Sequence, residues 1–184
     1  MAVLAALAVL VVAGVAAAQD QVVHIEDIDP LPYPPEIDAN AFETEVYDSF
    51  SKARPTLLWA DSRLFLFYKD AATGRIFYRF KQHEGVWSEP KEVPNCLTGA
   101  APAVCYWREY FFIAYRGGNT GHIYVNTMHL RSGVWTGAVK LANGKAASQP
   151  AIQIFDDWLY VVYRGKPDNK LYWQRMPYLP TERQ

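Results

Sequence analysis

An internal repeat constrains the fold of this chain more than any other feature of its sequence. Three segments align almost without gaps, and each begins near a proline, at intervals of 47 and 48 residues: Pro55, Pro102 and Pro150. A tyrosine follows thirteen residues after each proline: Tyr68, Tyr115 and Tyr163. A fixed period of this length is typical of propellers and solenoids, in which each repeat is one supersecondary unit. The sequence therefore predicts three copies of one small structural unit.

Each unit is predicted to be a small antiparallel sheet. Its main apolar run has five residues, is rich in aromatic and β-branched side chains, and is too short for a buried helix: 64–68, 111–115 and 159–163. Polar pairs and turn sequences separate this run from apolar strands on either side. The Gly-Val-Trp segments ending at Trp87 and Trp135 are expected to form a fourth strand. The pattern predicts an all-β propeller of about three four-stranded blades.

The repeat boundaries divide the second part of the chain into blades. We expect blade 1 over residues 51–98, blade 2 over 99–146 and blade 3 over 147–176. Blade 3 is incomplete because it lacks the Gly-Val-Trp segment. A polar tail, residues 177–184, follows it.

Two segments precede the repeats. Residues 1–18 form an apolar block ending in small residues, which predicts a secretory signal peptide. The lack of Lys or Arg near its start leaves an uncleaved anchor as the alternative. Residues 19–50, with four prolines and nine acidic residues, predict a leader without helix, either a flexible arm or an acidic strap on the basic body. We therefore expect a secreted, extracellular protein that has no membrane contact after signal cleavage.

Three blades are too few for a closed propeller, because such rings contain roughly four to eight blades. Counting back from Pro55 by the nine residues that separate Val93 from Pro102 reaches Val46, and predicts a further strand over residues 42–46. We expect this strand to close blade 3 of a second chain, giving a six-bladed homodimer. An open three-bladed arc and a fragment of a longer propeller are the alternatives.

Charge and cysteine content exclude several classes of function. With 18 Lys and Arg against 19 Asp and Glu, the net charge is -1, so we expect no nucleic-acid partner. Cys96 and Cys105 are predicted to form a small disulfide loop, and the alternative makes Cys105 a buried apolar residue in a strand. Two cysteines and four scattered histidines lack the spacings of metal ligands, so we expect no metal and no cofactor.

The repeated motifs resemble a known family. The Tyr-Arg-Gly sequences at 115–117 and 163–165, the turn and Tyr-containing strand after each, and the Gly-Val-Trp endings resemble secreted β-propeller lectins of the fungal fucose-binding and bacterial Photorhabdus-type groups. The resemblance covers roughly residues 54–176. It implies that the chain binds monosaccharides of glycans in clefts between adjacent blades, and that repetition raises the avidity.

The fucose site of the fungal group is not carried over. Its Arg position aligns with Phe65, Phe112 and Tyr160, and its Glu position with Tyr78, Val125 and Trp173. We therefore expect a different site, in which aromatic faces stack on the sugar and charged side chains hold its hydroxyl groups. The candidate sugar-binding residues are Trp59, Trp107, Glu109, Arg116, Asp157, Trp158, Arg164 and Trp173.

Two other classes of function stay open. A secreted scaffold would bind a protein partner through the basic region, since residues 51–184 carry all the basic residues of the chain. A glycosidase or sialidase would need paired carboxylates about 5 to 9.5 Å apart. Asp61 and Asp156 occupy equivalent turns, where acids usually bond the backbone, and the Ser-x-Asp-x-Gly-x-x-Trp boxes of sialidases are absent from the sequence. We therefore expect no catalytic residues.

Overall fold

The computed structural model describes residues 45–47 and 49–177. The predicted signal peptide, most of the predicted leader and closing strand, and all but the first residue of the tail lie outside the described residues. Twelve strands within the described part form three antiparallel sheets that follow one another along the chain, without a helix. The all-β prediction is therefore confirmed.

Each sheet is built from strands that are neighbours in sequence. Sheet 1 contains β1 (Thr56–Ala60), β2 (Arg63–Lys69), β3 (Arg75–Lys81) and β4 (Lys91–Leu97). Sheet 2 contains β5 (Ala103–Trp107), β6 (Tyr110–Arg116), β7 (His122–His129), β8 (Val134–Trp135) and β9 (Val139–Lys145), with both β8 and β9 paired to β7. Sheet 3 contains β10 (Ala151–Phe155), β11 (Trp158–Arg164) and β12 (Leu171–Pro177). Sheet 3 thus has no outermost strand corresponding to β4 and β9 among the described residues.

The outermost strands begin later than the Gly-Val-Trp segments predict. Trp87 lies in the loop before β4, and Trp135 lies in β8, a two-residue strand that precedes β9. In the loop after β3, the Ser88 hydroxyl accepts a hydrogen bond from the Phe80 amide at 3.1 Å, and the Ser88 amide donates to the Phe80 carbonyl at 2.8 Å. A serine that bonds the backbone in this way competes with a regular ladder. The outermost strand of sheet 1 consequently begins only at Lys91.

Two-residue turns join the first and second strands of every sheet. Both turn residues have positive φ in each case: Asp61 and Ser62, Arg108 and Glu109, Asp156 and Asp157. Positive φ at both central residues defines the type I′ turn, whose twist matches that of a β-hairpin. Two predicted sugar ligands, Glu109 and Asp157, are therefore turn residues.

Changing Asp156→Asn together with Asp157→Gly is expected to raise the free energy of unfolding by about 1 kcal/mol. The left-handed conformation costs most L-residues about 1 to 2 kcal/mol, and Asn-Gly is the preferred type I′ sequence. The exposed ion pair of Asp157 with Arg108 is worth little. Urea denaturation measures the gain, and Asp157→Ala, which keeps the strain, serves as the control. An Asn-Gly variant no more stable than the parent would contradict the strain argument.

Alternation along the strands gives every sheet two faces. We call the face that carries Phe65 in sheet 1, Phe112 in sheet 2 and Tyr160 in sheet 3 the forward face. The opposite face, which carries Leu64, Phe111 and Leu159, is the back face. The forward face of sheet 1 packs on the back face of sheet 2, with ring centroids of Phe65 and Phe111 4.7 Å apart. In the same way, the forward face of sheet 2 packs on the back face of sheet 3. The core therefore consists of two apolar layers between three sheets.

The predicted disulfide is absent from the structure, where both cysteines are free and buried. Cys96 lies in the layer between sheets 1 and 2, and its sulfur accepts a hydrogen bond from Asn126 Nδ2 at 3.4 Å. Cys105 points into the other layer, between sheets 2 and 3. Burial raises the pKa of both thiols, that of Cys105 to about 12. Sheet 2 lies between the layers that contain the two sulfurs, and Cys105 is a buried apolar residue of a strand.

Candidate functional site

The predicted sugar-stacking tryptophans lie on three sheets rather than in one cleft. Trp59 lies on the back face of sheet 1, Trp107 at the end of β5, and Trp158 and Trp173 on the forward face of sheet 3. Trp59 and Trp173 are each 60% exposed. The guanidinium of Arg175 covers Trp158, 4.4 Å from the ring centroid, and that of Arg108 lies 5.4 Å from Trp107.

The predicted charged ligands have protein partners. Arg116 Nε donates to the carbonyl of Ala146 at 2.8 Å, and this bond links sheet 2 to the segment that enters sheet 3. Glu109 forms an ion pair with Arg131 at 2.5 Å. Asp157 Oδ1 lies 3.5 Å from Arg108 Nη1, so this pair joins two adjacent turns. These contacts stabilise turns and sheet junctions.

Arg164 lines an open cleft between sheet 3, the end of β2 and the segments that lead into β1, β5 and β10. The cavity has a volume of about 640 Å³, and its charged lining residues are all basic: Lys52, Arg54, Lys69 and Arg164. Arg164 Nη1 also donates to Asn169 Oδ1 at 2.9 Å. The cleft is a positive surface, and small and apolar residues form much of the rest of its lining.

A second type of cavity occurs twice, at equivalent positions of the repeat. The first tyrosine cleft, of about 280 Å³, lies between the end of β4 and the β6–β7 turn and is lined by residues that include Leu97, Tyr115, Asn119, Thr120 and Tyr124. The second tyrosine cleft, of about 340 Å³, lies between the end of β9 and the β11–β12 turn and is lined by residues that include Lys145, Tyr163, Lys166, Asp168 and Tyr172. Both clefts lie between adjacent sheets.

Each tyrosine cleft is built around two stacked rings. Tyr115 and Tyr124 are cross-strand neighbours with centroids 5.6 Å apart and ring planes 19° apart. Tyr163 and Tyr172 repeat this arrangement at 5.9 Å and 25°. The inner ring of each pair is buried, whereas the outer ring, Tyr124 or Tyr172, is partly exposed. An accessible ring is therefore held in place by a buried one, at favourable stacking distances.

A glycine allows the outer ring to lie close to the turn. A Cβ on Gly117 would approach Tyr124 Cε2 to 2.7 Å, and a Cβ on Gly165 would meet the ring of Tyr172. The turns themselves are closed by equivalent bonds, since the amides of Gly117 and Gly165 both donate at 2.8 Å to the carbonyl five residues later. The Tyr-Arg-Gly motif thus has a structural role, because its glycine accommodates the outer tyrosine.

The two clefts differ in polar chemistry. In the second cleft, the Tyr172 hydroxyl donates to Asp168 Oδ2 at 2.5 Å, and this bond lowers the pKa of Asp168 and raises that of Tyr172. Asp168 is therefore an ionised acceptor at neutral pH, beside Lys145 and Lys166. In the first cleft, Thr120 Oγ1 donates to the Tyr124 hydroxyl at 3.4 Å, and the lining residues carry no charge.

Sheet 1 contains a related arrangement. Tyr68 stacks on Phe77 with centroids 6.1 Å apart, and Ser49 Oγ donates to the Tyr68 hydroxyl at 3.4 Å. Asp70 replaces the glycine, and hydrogen bonds led by that from the Thr73 hydroxyl lower its pKa. The outer ring here has no hydroxyl group, so this position offers fewer hydrogen bonds than the two tyrosine clefts.

The sequence prediction identified Tyr115 and Tyr163 as repeat markers but missed their partners as site residues. A tyrosine recurs nine residues after each of them, at Tyr124, the third residue of β7, and at Tyr172, the second residue of β12. This spacing, next to the Tyr-Arg-Gly motif, is the signal that would have found the stacked pairs. The predicted tryptophans offer flat aromatic faces for stacking, but each lies outside the linings of both clefts.

The described residues contain neither a metal-binding cluster nor a membrane-spanning helix. No group of three or more His, Cys, Asp or Glu side chains in the described part is placed to hold a metal ion. A helix long and apolar enough to cross a membrane is also absent from residues 45–47 and 49–177.

The chain was compared with known families, proteins and solved structures. No family model matches the sequence, and no curated protein matches it either. Among solved structures, the chain is similar to an exo-β-1,3-galactanase from Phanerochaete chrysosporium, determined with β-1,3-galactotriose, at a TM-score of 0.49 and 13% identity. The match covers 69% of this chain and 35% of the galactanase chain. This chain therefore spans about a third of the length of that protein.

Proposed function

We propose that this chain is a secreted, non-catalytic carbohydrate-binding protein whose lectin-like sites are the two tyrosine clefts of a propeller. The observation that carries the proposal is the repetition of one aromatic cleft at the same position of two successive repeats. Both outer rings are accessible, and both lie beside hydrogen-bonding groups. The cavity volumes lie near the lower end for small-molecule sites and suit a single sugar ring.

The chemistry of the clefts suits a sugar. A pyranose presents axial C–H groups to an aromatic face and hydroxyl groups to fixed polar atoms, and each cleft supplies both kinds of contact. Asp168 is fixed by Tyr172 and has acceptor capacity left for a pair of hydroxyl groups. Repetition in one molecule would raise the avidity for a surface that carries many glycans.

The same geometry favours binding over hydrolysis. Glycosidases use two carboxyl groups, one of which must be protonated near neutral pH. The second cleft contains one carboxyl group, that of Asp168, whose pKa is lowered, and no carboxyl group lines the first cleft. An enzyme of this type would need an acid with a raised pKa beside a second carboxylate.

The proposal predicts that the outer tyrosines carry sugar binding. After a glycan array has identified a ligand, Tyr172→Leu is expected to lower the affinity of the second cleft for that ligand by about tenfold. The lost stacking contact is worth about 1.4 kcal/mol of binding free energy. Titration calorimetry of Tyr124→Leu and Tyr172→Leu should show one weakened site in each variant, and the double variant should lose agglutination.

Trp107→Leu is the matched control, because Trp107 is exposed and aromatic but lies outside both clefts. It is expected to bind as the parent does. If Trp107→Leu loses binding while the double tyrosine variant retains it, the tryptophan is the sugar ligand and the tyrosine clefts are not sites.

A secreted protein-binding scaffold is the second candidate, and the basic cleft of Lys52, Arg54, Lys69 and Arg164 favours it. Four cations without an acidic partner in the lining create a positive potential that attracts acidic segments. A chain that binds nothing on the glycan array but captures an acidic protein, and releases it as the salt concentration rises, would support this candidate over the lectin.

A further inference from the structure

The forward face of sheet 3 is open. Leu171 is 76% exposed on this face, and Val162 and Trp173 beside it are exposed as well. The equivalent residues of sheets 1 and 2 are buried against the next sheet: Phe67, Ile76 and Tyr78 in sheet 1, and Ala114, Ile123 and Val125 in sheet 2. Soluble proteins rarely expose a contiguous apolar face together with a free strand edge.

The complementary surface lies at the other end of the same chain. Sheets 2 and 3 each receive the preceding sheet on their back faces, through residues such as Phe111 and Leu159. The back face of sheet 1 carries Leu57 and Trp59, which are both exposed. Among the described residues, one end thus presents a forward face that no sheet covers, and the other end presents a back face that no sheet covers, although Tyr68 and Arg79 on that back face are buried.

The backbone just before β1 makes the same hydrogen bonds as the last residues of β4 and β9, the outermost strands of sheets 1 and 2. The Phe50 carbonyl accepts a hydrogen bond from the Ala71 amide at 3.0 Å. The carbonyls of Leu97 and Lys145, at the ends of β4 and β9, accept equivalent bonds from Gly118 at 3.0 Å and Lys166 at 2.9 Å. Isolated bridges repeat at the next residue in all three cases: Ser51 with Asp70, Thr98 with Gly117, and Ala146 with Gly165.

In sheets 1 and 2 this end belongs to the outermost strand, β4 or β9, which pairs with the third strand of the same sheet. Residues 45–47 and 49–51 therefore fit the outermost strand of a sheet that would precede sheet 1, and sheet 3 is the one sheet of the described residues that has no such strand. Val46 occupies the place of Val93 and Leu141, which are buried in β4 and β9.

We propose that two copies of this chain close a six-sheet ring head to tail, with sheet 3 of each copy packing on the back face of sheet 1 of the other and pairing β12 with residues 45–51 of the other. Packing of a forward face on a back face already occurs twice within one copy, between sheets 1 and 2 and between sheets 2 and 3. A second copy allows the same packing between sheet 3 and sheet 1. Six sheets lie within the range of about four to eight that closed rings contain. Two identical contacts then close the assembly and leave no open end.

The internal pairs fix the register of this contact. Arg75 pairs with Leu97 in sheet 1 and His122 with Lys145 in sheet 2, so Lys170 faces Phe50 of the second copy. The next pairs along these ladders, Phe77 with Glu92 and Tyr124 with Lys140, place Tyr172 opposite Glu45 of the second copy.

Side-chain chemistry agrees with this register. Arg116 bonds the Ala146 carbonyl across the junction of sheets 2 and 3, and the equivalent group for Arg164 is the Ser51 carbonyl of the second copy. The sequence before Ser51 is acidic, with Glu43, Glu45 and Asp48, whereas β12 and the turn before it carry Lys166, Lys170 and Arg175. The two surfaces therefore have opposite charges.

Light scattering on the full chain tests the assembly. We expect twice the mass of one chain for the parent and for Val86→Asp, a control in which an exposed residue of the β3–β4 loop is changed. Leu171→Asp is expected to lower the mass to that of one chain, because the carboxylate would be buried in the apolar contact. Near-ultraviolet circular dichroism checks that this variant is folded. A parent that is a monomer, or that forms an assembly other than a dimer, overturns the proposal.

A designed crosslink tests the register independently. Facing residues of antiparallel strands have Cα atoms about 4.5 to 5.5 Å apart, within disulfide range. On a denaturing gel without reductant, the variant with Phe50→Cys and Lys170→Cys is expected to run as a covalent dimer. Each single variant is expected to run at the mass of one chain on the same gel. The native thiols are buried with raised pKa and do not compete. A double variant that stays a single chain under oxidation, while the parent is a dimer, overturns the proposed register.

Discussion

Replacing Phe111 by alanine is expected to lower the free energy of unfolding by about 3 to 5 kcal/mol, the usual loss for a buried aromatic residue. Phe111 is fully buried at the centre of the layer between sheets 1 and 2. Its ring lies 4.7 Å from that of Phe65, 5.4 Å from Phe67 and 5.2 Å from Tyr106. Removal of the ring therefore leaves a cavity that two rigid sheets fill only in part. A typical domain is stable by about 5 to 15 kcal/mol, so the loss is a large share of the total.

Urea denaturation at one fixed protein concentration measures this loss, since self-association would make stability depend on concentration. Phe111→Leu, which keeps most of the volume, should lose less than Phe111→Ala. Val86→Ala is the exposed control, and its effect should stay within about 0.5 kcal/mol. A loss below about 1 kcal/mol for Phe111→Ala would contradict the packing of sheet 1 on sheet 2.

The repeat made most of the strand architecture predictable. The prolines, the apolar runs of five residues and the polar pairs lie at matching positions, and period-two alternation with tight turns has few solutions other than antiparallel sheets. The start of β4 was not predictable in this way. It depends on the hydrogen bonds of Ser88, and a single serine in a polar stretch carries no sequence pattern that distinguishes it.

The candidate site was less predictable than the strands, because the role of a side chain depends on its partners. Arg116 is indistinguishable in sequence from a sugar ligand, but in the structure it bonds the Ala146 carbonyl, thirty residues away. Cys105 and Cys96 are close in sequence but point into different layers. Conversely, Tyr172 becomes notable only when the register places it on Tyr163. Contacts of this kind follow from strand pairing, which local composition does not specify.

One position of the repeat shows how sheet packing restricts side-chain size. Residues 49, 96 and 144 are equivalent, and each faces the inner tyrosine of the following sheet. Ser49 and Cys96 reach the hydroxyl groups of Tyr68 and Tyr115 with their side chains. At Gly144 the sheets lie closer, because a Cβ there would overlap the Tyr163 hydroxyl oxygen and come within 2.7 Å of its Cζ atom.

Gly144→Ala is therefore expected to lower the free energy of unfolding by about 1 to 3 kcal/mol, as overpacking of a buried junction does. Tyr163 is buried and has little room to move. Gly85→Ala is the matched control, since a Cβ at Gly85 meets only ordinary contacts at 3.7 Å and beyond, and its stability should be unchanged or slightly raised.

A double-mutant cycle separates the clash from any general preference for glycine in this strand. Tyr163→Phe removes the oxygen that the new methyl group would meet, so Gly144→Ala should cost less in that background, by about 1 kcal/mol or more. If the two changes were additive, the loss would come from the backbone, and the close approach of β9 to Tyr163 would not be its cause. If the effects of the two changes on the free energy of unfolding were coupled, the strain would lie in the contact between residue 144 and Tyr163. This contact forms part of the second tyrosine cleft, because Gly144 and Tyr163 both line it. Gly144→Ala would then also displace the inner ring on which Tyr172 stacks, so stability and ligand binding should fall together in this variant and recover together when Tyr163→Phe is added.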